Sequence, residues 1–124
     1  MYKEISLMCT DGKEKSFGFL STGTTAYRYK QVFHEDLMIL LNKMGHDEDD
    51  QTDMGVGGKL AYIMNCQAEK ADMNKLSFDA FLGWADKLES SELFMHMKEF
   101  VSLYLGSRKT SSTPKKEDAP QNAK

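Results

Sequence analysis

The stretch YKEISLMCTDGKEKSFGFL, residues 2–20, alternates apolar and polar residues in two short runs. Ile5 and Leu7 fall on one side of the first run, and the second run repeats the pattern with two phenylalanines. Such alternation predicts β-strands, because successive side chains of a strand point to opposite faces. Asp11-Gly12 between the runs is a hairpin turn signal, since glycine accepts a positive φ without steric cost. The stretch therefore predicts an N-terminal β-hairpin.

The segments after the hairpin carry apolar residues at three- and four-residue steps, which predicts amphipathic helices. Thr24 or Thr25 can cap the first helix and Gly45 can end it, while Ser77 is the expected N-cap of the third. We expect an α+β fold that is predominantly helical, with the hairpin followed by about four α-helices. The predicted helices span about residues 24–44, 58–72, 78–88 and 91–105.

The last predicted helix is more apolar than one buried face requires. Its apolar residues cover an arc wider than the roughly 100° stripe of a simple surface helix, and Met95 and Leu103 lie outside that arc. On the first helix, Met38 and Ile39 also lie off the main stripe. We expect these surplus side chains to contact a client or another subunit. The candidate residues are Leu93, Phe94, Met95, Met97, Phe100, Val101, Leu103, Tyr104, Met38 and Ile39.

Residues 106–124 are predicted to form a disordered, flexible polar tail, because the stretch contains no aromatic side chain and two prolines. Residues 1–105 are predicted to form a single folded domain. The tail carries a charge of +3 and the chain as a whole −3, so the domain carries −6. An acidic domain argues against a nucleic-acid partner, since phosphate binding needs a basic face.

No motif in the sequence indicates catalysis, a metal or a cofactor. The histidines do not form HExxH, and neither a Walker loop nor GxSxG occurs. The acidic loop HDEDDQTDMGVGG does not match a calcium loop, because starting at Asp47 places Thr52 where glycine is needed. Cys9 and Cys66 lie outside any CxxC pair, and we expect both to be small buried hydrophobes. We therefore expect a protein that is not an enzyme and binds no metal or cofactor.

The chain also lacks the features of membrane or secreted proteins. No apolar run approaches the roughly 20 residues that cross a bilayer. The first residues contain no apolar core of a secretory signal. We expect synthesis in the cytosol and no membrane partner.

The order of these features resembles the tail assembly chaperones of long-tailed (siphovirus) bacteriophages that infect Gram-positive hosts. The resemblance covers about residues 1–105 and ends at the polar tail. The acidic insert HDEDDQTD and the Met-rich last helix match no pattern of that family. The resemblance is carried by the N-terminal hairpin, GTTAYRYKQVFHEDLMILLNKMG, a glycine-containing break, LAYIMNCQAEKA and LSFDAFLGWADKL.

The resemblance implies a function in virion morphogenesis. Such chaperones bind and solubilise the tape measure protein in the host cytoplasm and are absent from the mature virion. A longer form, made by programmed ribosomal frameshifting, is thought to recruit the tail tube protein. Lys115-Lys116 is the expected slip site, because a lysine pair can be encoded by a run of A. Coating a long client also implies many copies, so we expect a homo-oligomer.

Two other functions remain open from the sequence. One is a generic helical adaptor that binds a partner peptide. The other is a small helix-turn-helix transcriptional regulator built from residues 78–105. The regulator is disfavoured, because its recognition helix would begin at Glu92 and hold one lysine before Phe100. A major-groove reader presents Arg, Lys, Asn or Gln at such positions.

Overall fold

The computed structural model describes residues 1–46 and 55–109. A short 3-10 turn, Met73–Lys75, precedes the fourth helix. The hairpin followed by helices confirms the predicted α+β, mainly helical class. The flexible tail was predicted to begin at residue 106, but the last helix continues through residues 106–109, and the rest of the predicted tail, residues 110–124, lies outside the described residues. The elements are β1 (Tyr2–Met8), β2 (Glu14–Leu20), α1 (Thr25–Phe33), α2 (Leu37–His46), α3 (Val56–Ala68), α4 (Phe78–Ala85), α5 (Glu92–Met95) and α6 (Met97–Lys109).

The predicted hairpin is present, and its apolar side chains lie on one face. Its strands are antiparallel, with Ile5 opposite Phe17. Ile5, Leu7 and Phe19 are buried on the face that packs against the helices. Gly12 has a φ of 83°, which is the left-handed conformation expected at the turn.

α3 is the central element of the core. All of its residues from Val56 to Cys66 are buried except Lys59, which is partly exposed. A helix buried on nearly every side needs neighbours all around it. β2, α1, α4, α5 and α6 supply them.

The segment predicted as one helix over residues 24–44 is two helices in the structure. α1 ends where His34 adopts a left-handed φ of 61° and its N–H donates to the carbonyl of Lys30. The Asp36 carboxylate then accepts hydrogen bonds from the N–H groups of Met38 and Ile39 and so caps α2. A capping aspartate and a left-handed histidine together redirect the chain within three residues. The predicted N-cap at Ser77 is confirmed, since its hydroxyl accepts from the N–H of Ala80.

The predicted last helix is also divided, into α5 and α6. His96 separates them, and its ring nitrogens face the carboxylates of Glu92 and Glu99. Glu92 in addition accepts a hydrogen bond of 2.8 Å from the N–H of Met8. This carboxylate therefore fixes the short helix α5 to the end of β1.

Two glycines in the first turn of α3 allow α5 and α6 to approach closely. A Cβ on Gly57 would overlap the Met97 side chain, and a Cβ on Gly58 would lie 3.2 Å from Leu93 Cδ1. The sequence analysis placed this glycine run in a loop. In the structure the glycines belong to a helix contact that a larger side chain would force apart.

Gly57→Ala is expected to lower the free energy of unfolding by about 1–3 kcal/mol, because the new methyl group overpacks the contact with Met97. Gly83→Ala is the matched control. It lies in α4, where a Cβ meets nothing within 4 Å, so this variant should be unchanged or gain up to about 1 kcal/mol. Urea unfolding of the two variants measures the difference, and equal stabilities would contradict the proposed close contact.

Candidate functional site

An open groove of about 420 Å³ lies between α2 and α6. Leu37 and Leu41 of α2 are one turn apart and buried, which holds this helix against the core. Since each residue of a helix turns by about 100°, Met38 and Ile39 face outward beside them. Asn42 is the one polar side chain among the described lining residues. The groove is lined by Met38, Ile39, Leu41, Asn42 and Leu105.

Tyr104 connects the groove to the core. Its ring is buried, and its hydroxyl donates to Met38 Sδ over 3.5 Å. Ile39 is 58% exposed. The groove therefore presents an exposed aliphatic side chain beside a methionine whose sulfur, a weak acceptor, receives the Tyr104 hydroxyl.

α5 presents a second exposed apolar pair. Phe94 is exposed, and Met95 is 72% exposed. The exposure of these two side chains follows from the way this one-turn helix is anchored. Glu92 points toward β1, and Leu93 points toward α3. The two side chains that remain are left on the outer side.

The other candidate residues of the last helix lie in or against the core. Phe100, Leu103 and Tyr104 are buried, and the Phe100 ring lies 5.1 Å from that of Phe19. Leu93 and Val101 are partly buried and pack on the core, and the partly buried Met97 lies beside Gly57. The second apolar side of this helix therefore covers the hairpin and α3 within the same chain. The candidates that reach the surface are Met38, Ile39, Phe94 and Met95.

The sequence analysis did not include the outer face of α4 among its candidates. No residue of this helix is buried, and Phe78 is 50% exposed beside the exposed Leu82. Phe81 and Trp84 pack inward, with their rings 6.3 Å apart. The signal in the sequence was composition: FDAFLGWA is apolar on every side except at Asp79, which a single buried face does not require.

Burial controls the two titratable groups of the core with the clearest shifts. Burial, together with a smaller contribution from the neighbouring Cys66, raises the pKa of Tyr62 to about 12. Burial also raises the pKa of the Cys66 thiol. A raised thiol pKa lowers the thiolate fraction and hence the nucleophilicity. Cys9 and Cys66 are both free and buried, which confirms the prediction for them.

The described residues contain neither a grouped set of metal-ligating side chains nor a helix suited to a membrane. Within residues 1–46 and 55–109, no three His, Cys, Asp or Glu side chains are grouped so as to hold a metal ion. The helices in these ranges include none with the length and apolar character needed to span a bilayer.

None of the family models, curated proteins or solved structures compared with the chain matches it. What the groove can bind must therefore be inferred from its geometry and from the sequence. Among the residues that the structure describes, its lining contains no charged side chain. Such a surface favours apolar groups over ions or phosphates.

The raised pKa of Tyr62 predicts alkaline destabilisation. The pKa of Tyr62 is about 12 in the folded chain against an ordinary value of 10.0. The contribution of this group to stability is therefore fully present below about pH 10 and is lost as pH rises through 12. In that window the unfolding free energy should fall by up to about 1.4 kcal/mol per pH unit from this group. Urea unfolding from pH 9 to 12 should show a shallower fall in Tyr62→Phe. Parallel curves for the two proteins would refute the assignment.

Proposed function

We propose that this protein is a non-catalytic tail assembly chaperone, which binds an apolar helical segment of the phage tape measure protein and keeps it soluble during tail assembly. The observation that carries the proposal is the apolar groove formed by Met38, Ile39 and Leu105. The resemblance to siphovirus tail assembly chaperones supplies the identity of the client. The host cytoplasm is the proposed place of action.

The groove suits one face of a helix. Its volume of about 420 Å³ is within the range of protein binding pockets, roughly 300–1,000 Å³. Amphipathic helices dock by inserting side chains spaced by three and four residues into such grooves. Asn42, the single polar residue in the described part of the lining, lies on α2 one turn beyond Met38. An aliphatic side chain of a client therefore meets mainly apolar atoms.

The side chains of the groove suit a client of varied sequence. Methionine has three rotatable bonds and a polarizable sulfur, so it adapts to neighbours of different shape. Met38 is held through its sulfur by the Tyr104 hydroxyl, which is a weak interaction that a client can replace. Such a surface can bind successive segments of a long protein.

A single groove gives weak binding. Burying each apolar side chain of a client contributes about 1.5–3 kcal/mol. Association itself costs about 4–15 kcal/mol. Two or three anchors therefore nearly balance the cost, and many copies along one client gain affinity through effective concentration. We include self-association in the proposal for this reason, with Phe94 and Met95 as further contact candidates.

The charge of the chain supports a solubilising function. Residues 1–105 carry −6, and like-charged complexes repel one another. The proposal also includes a longer form that recruits the tail tube protein, with a frameshift at Lys115-Lys116. The gene sequence tests this part: codons AAG-AAG, or no open second frame downstream, would exclude it.

Ile39→Asp is expected to weaken client binding strongly, because it places a charge in the apolar groove. Affinity should fall at least tenfold, which is roughly 1.4 kcal/mol or more. The measurement is co-expression with the tape measure protein, followed by the soluble fraction of that client and its co-purification. The fold should survive, since Ile39 is 58% exposed.

Tyr27→Asp is the matched control, since Tyr27 is 77% exposed on α1 and does not line the groove. It should keep the client as soluble as the unchanged protein does. Phe94→Asp tests the contact on α5, and Phe94 is preferable to the partly buried Met97, which packs on Gly57. If Ile39→Asp and Tyr27→Asp hold the client equally well, the groove is not its binding site.

A further inference from the structure

The outer edge of β1 carries a row of unpaired backbone groups. Met1 and Ser21 exchange both of their backbone hydrogen bonds, and Cys9 pairs with Lys13 at the other end of the ladder. Bonded and non-bonded pairs alternate in an antiparallel sheet. The even-numbered residues of β1 therefore point their N–H and C=O groups away from β2. Among residues 1–46 and 55–109, those groups of Tyr2, Glu4 and Ser6 have no partner.

The same edge already accepts an extended segment at its other end. The C=O of Met8 accepts from the N–H of Glu89, and the N–H of Thr10 donates to the C=O of Lys87. Cys9 and Leu88 form an antiparallel bridge between these bonds. The edge is thus compatible with a neighbouring strand, and the stretch from Tyr2 to Ser6 is left open.

A groove of about 440 Å³ adjoins the open stretch, between the start of β1 and α6. Met1 and Leu103 contribute its apolar surface. Lys3 lies on the same face of β1 as the buried Ile5, so alternate side chains of an added strand would point into this groove. The remaining lining residues are Lys98, Glu99 and Ser102.

The charges of the groove favour an acidic ligand. Lys3 is 3.7 Å from Glu99, and Glu99 also contacts the His96 ring. Lys98 is exposed and forms no ion pair within the described part of the chain. The Glu99 carboxylate of the groove is therefore already engaged, whereas the Lys98 ammonium group is not.

We propose that the edge of β1 binds an extended segment of another protein by β-strand addition. On the face of that segment that points into the groove, an apolar side chain lies next to acidic side chains. The backbone of the segment pairs with Tyr2, Glu4 and Ser6. Its apolar side chain contacts Met1 and Leu103, and an acidic side chain contacts Lys98. This mode relies on main-chain hydrogen bonds for affinity and on side-chain pockets for specificity. It is separate from the helix-binding groove of α2 and α6.

The probe is the capped peptide Thr-Glu-Thr-Val-Thr-Glu-Thr, titrated into the isotope-labelled full chain and followed by NMR. Its Glu and Val side chains share one face of a strand, so they meet the groove together. We expect shifted and exchange-protected amides at Tyr2, Glu4 and Ser6, and shifted amides near Lys98. A peptide with Lys in place of Glu should bind about threefold or more weakly. A peptide methylated on the backbone nitrogens that face β1 should not bind.

Lys98→Glu should make the Lys peptide the tighter binder, which changes the ratio of the two peptide affinities by about fivefold. Ser6→Pro removes one outward N–H at an edge position that tolerates proline, and should weaken both peptides. If Ser6→Pro does not fold, the methylated peptide provides the same test on the unchanged chain. Equal binding of the methylated peptide, or shifts confined to other surfaces, would overturn the proposal. Protection of the β1 amides that grows with protein concentration alone would also overturn it, in favour of a second copy at the edge.

Discussion

The burial of α3 on nearly all sides is the constraint on which the rest of the fold depends. A fully enclosed helix must satisfy every polar side chain that it carries, because an unpaired buried group costs about 1–3 kcal/mol. Asn65 meets this requirement by donating to the carbonyl of Gly18 over 2.9 Å and accepting from Trp84 Nε1 over 3.0 Å. One amide therefore joins β2 and α4 to the central helix. At the other end of α3, Gly57 allows α6 to pack against it closely.

The central position of α3 explains where apolar side chains are left exposed. Elements around a central helix each bury one face, and the short ones have few residues with which to cover the other. α4 and α5 accordingly expose Phe78 and Met95, and α2, which packs beside α1, exposes Ile39. α6 is longer and packs against both α3 and Phe19 of the hairpin, so its two apolar sides are largely used within the chain. The surface open to a partner is thus set by short helices around the core.

The sequence predicted the parts of the fold that follow from local periodicity. Alternation identified the hairpin and its inner face, and three- and four-residue spacing located the helical segments. It did not reveal the break at His34, because a single left-handed residue followed by a capping aspartate leaves the apolar spacing unchanged. Periodicity also gives the width of the apolar arc of a helix, but it does not show which other elements pack against that arc. Met38 and Ile39 were chosen as contact candidates because they lie off the stripe, whereas Phe100, chosen on the width of the apolar arc, is buried in the core.

The two proposed binding surfaces use different faces of α6. Leu105 lines the groove shared with α2, and Leu103 lines the groove beside β1. Two residues along a helix turn by about 200°, so these side chains point in nearly opposite directions. Tyr104 lies between them and is buried, which fixes the helix while both faces stay available. Among the described residues the two grooves share no lining residue, so the two proposed binding modes are compatible within one molecule.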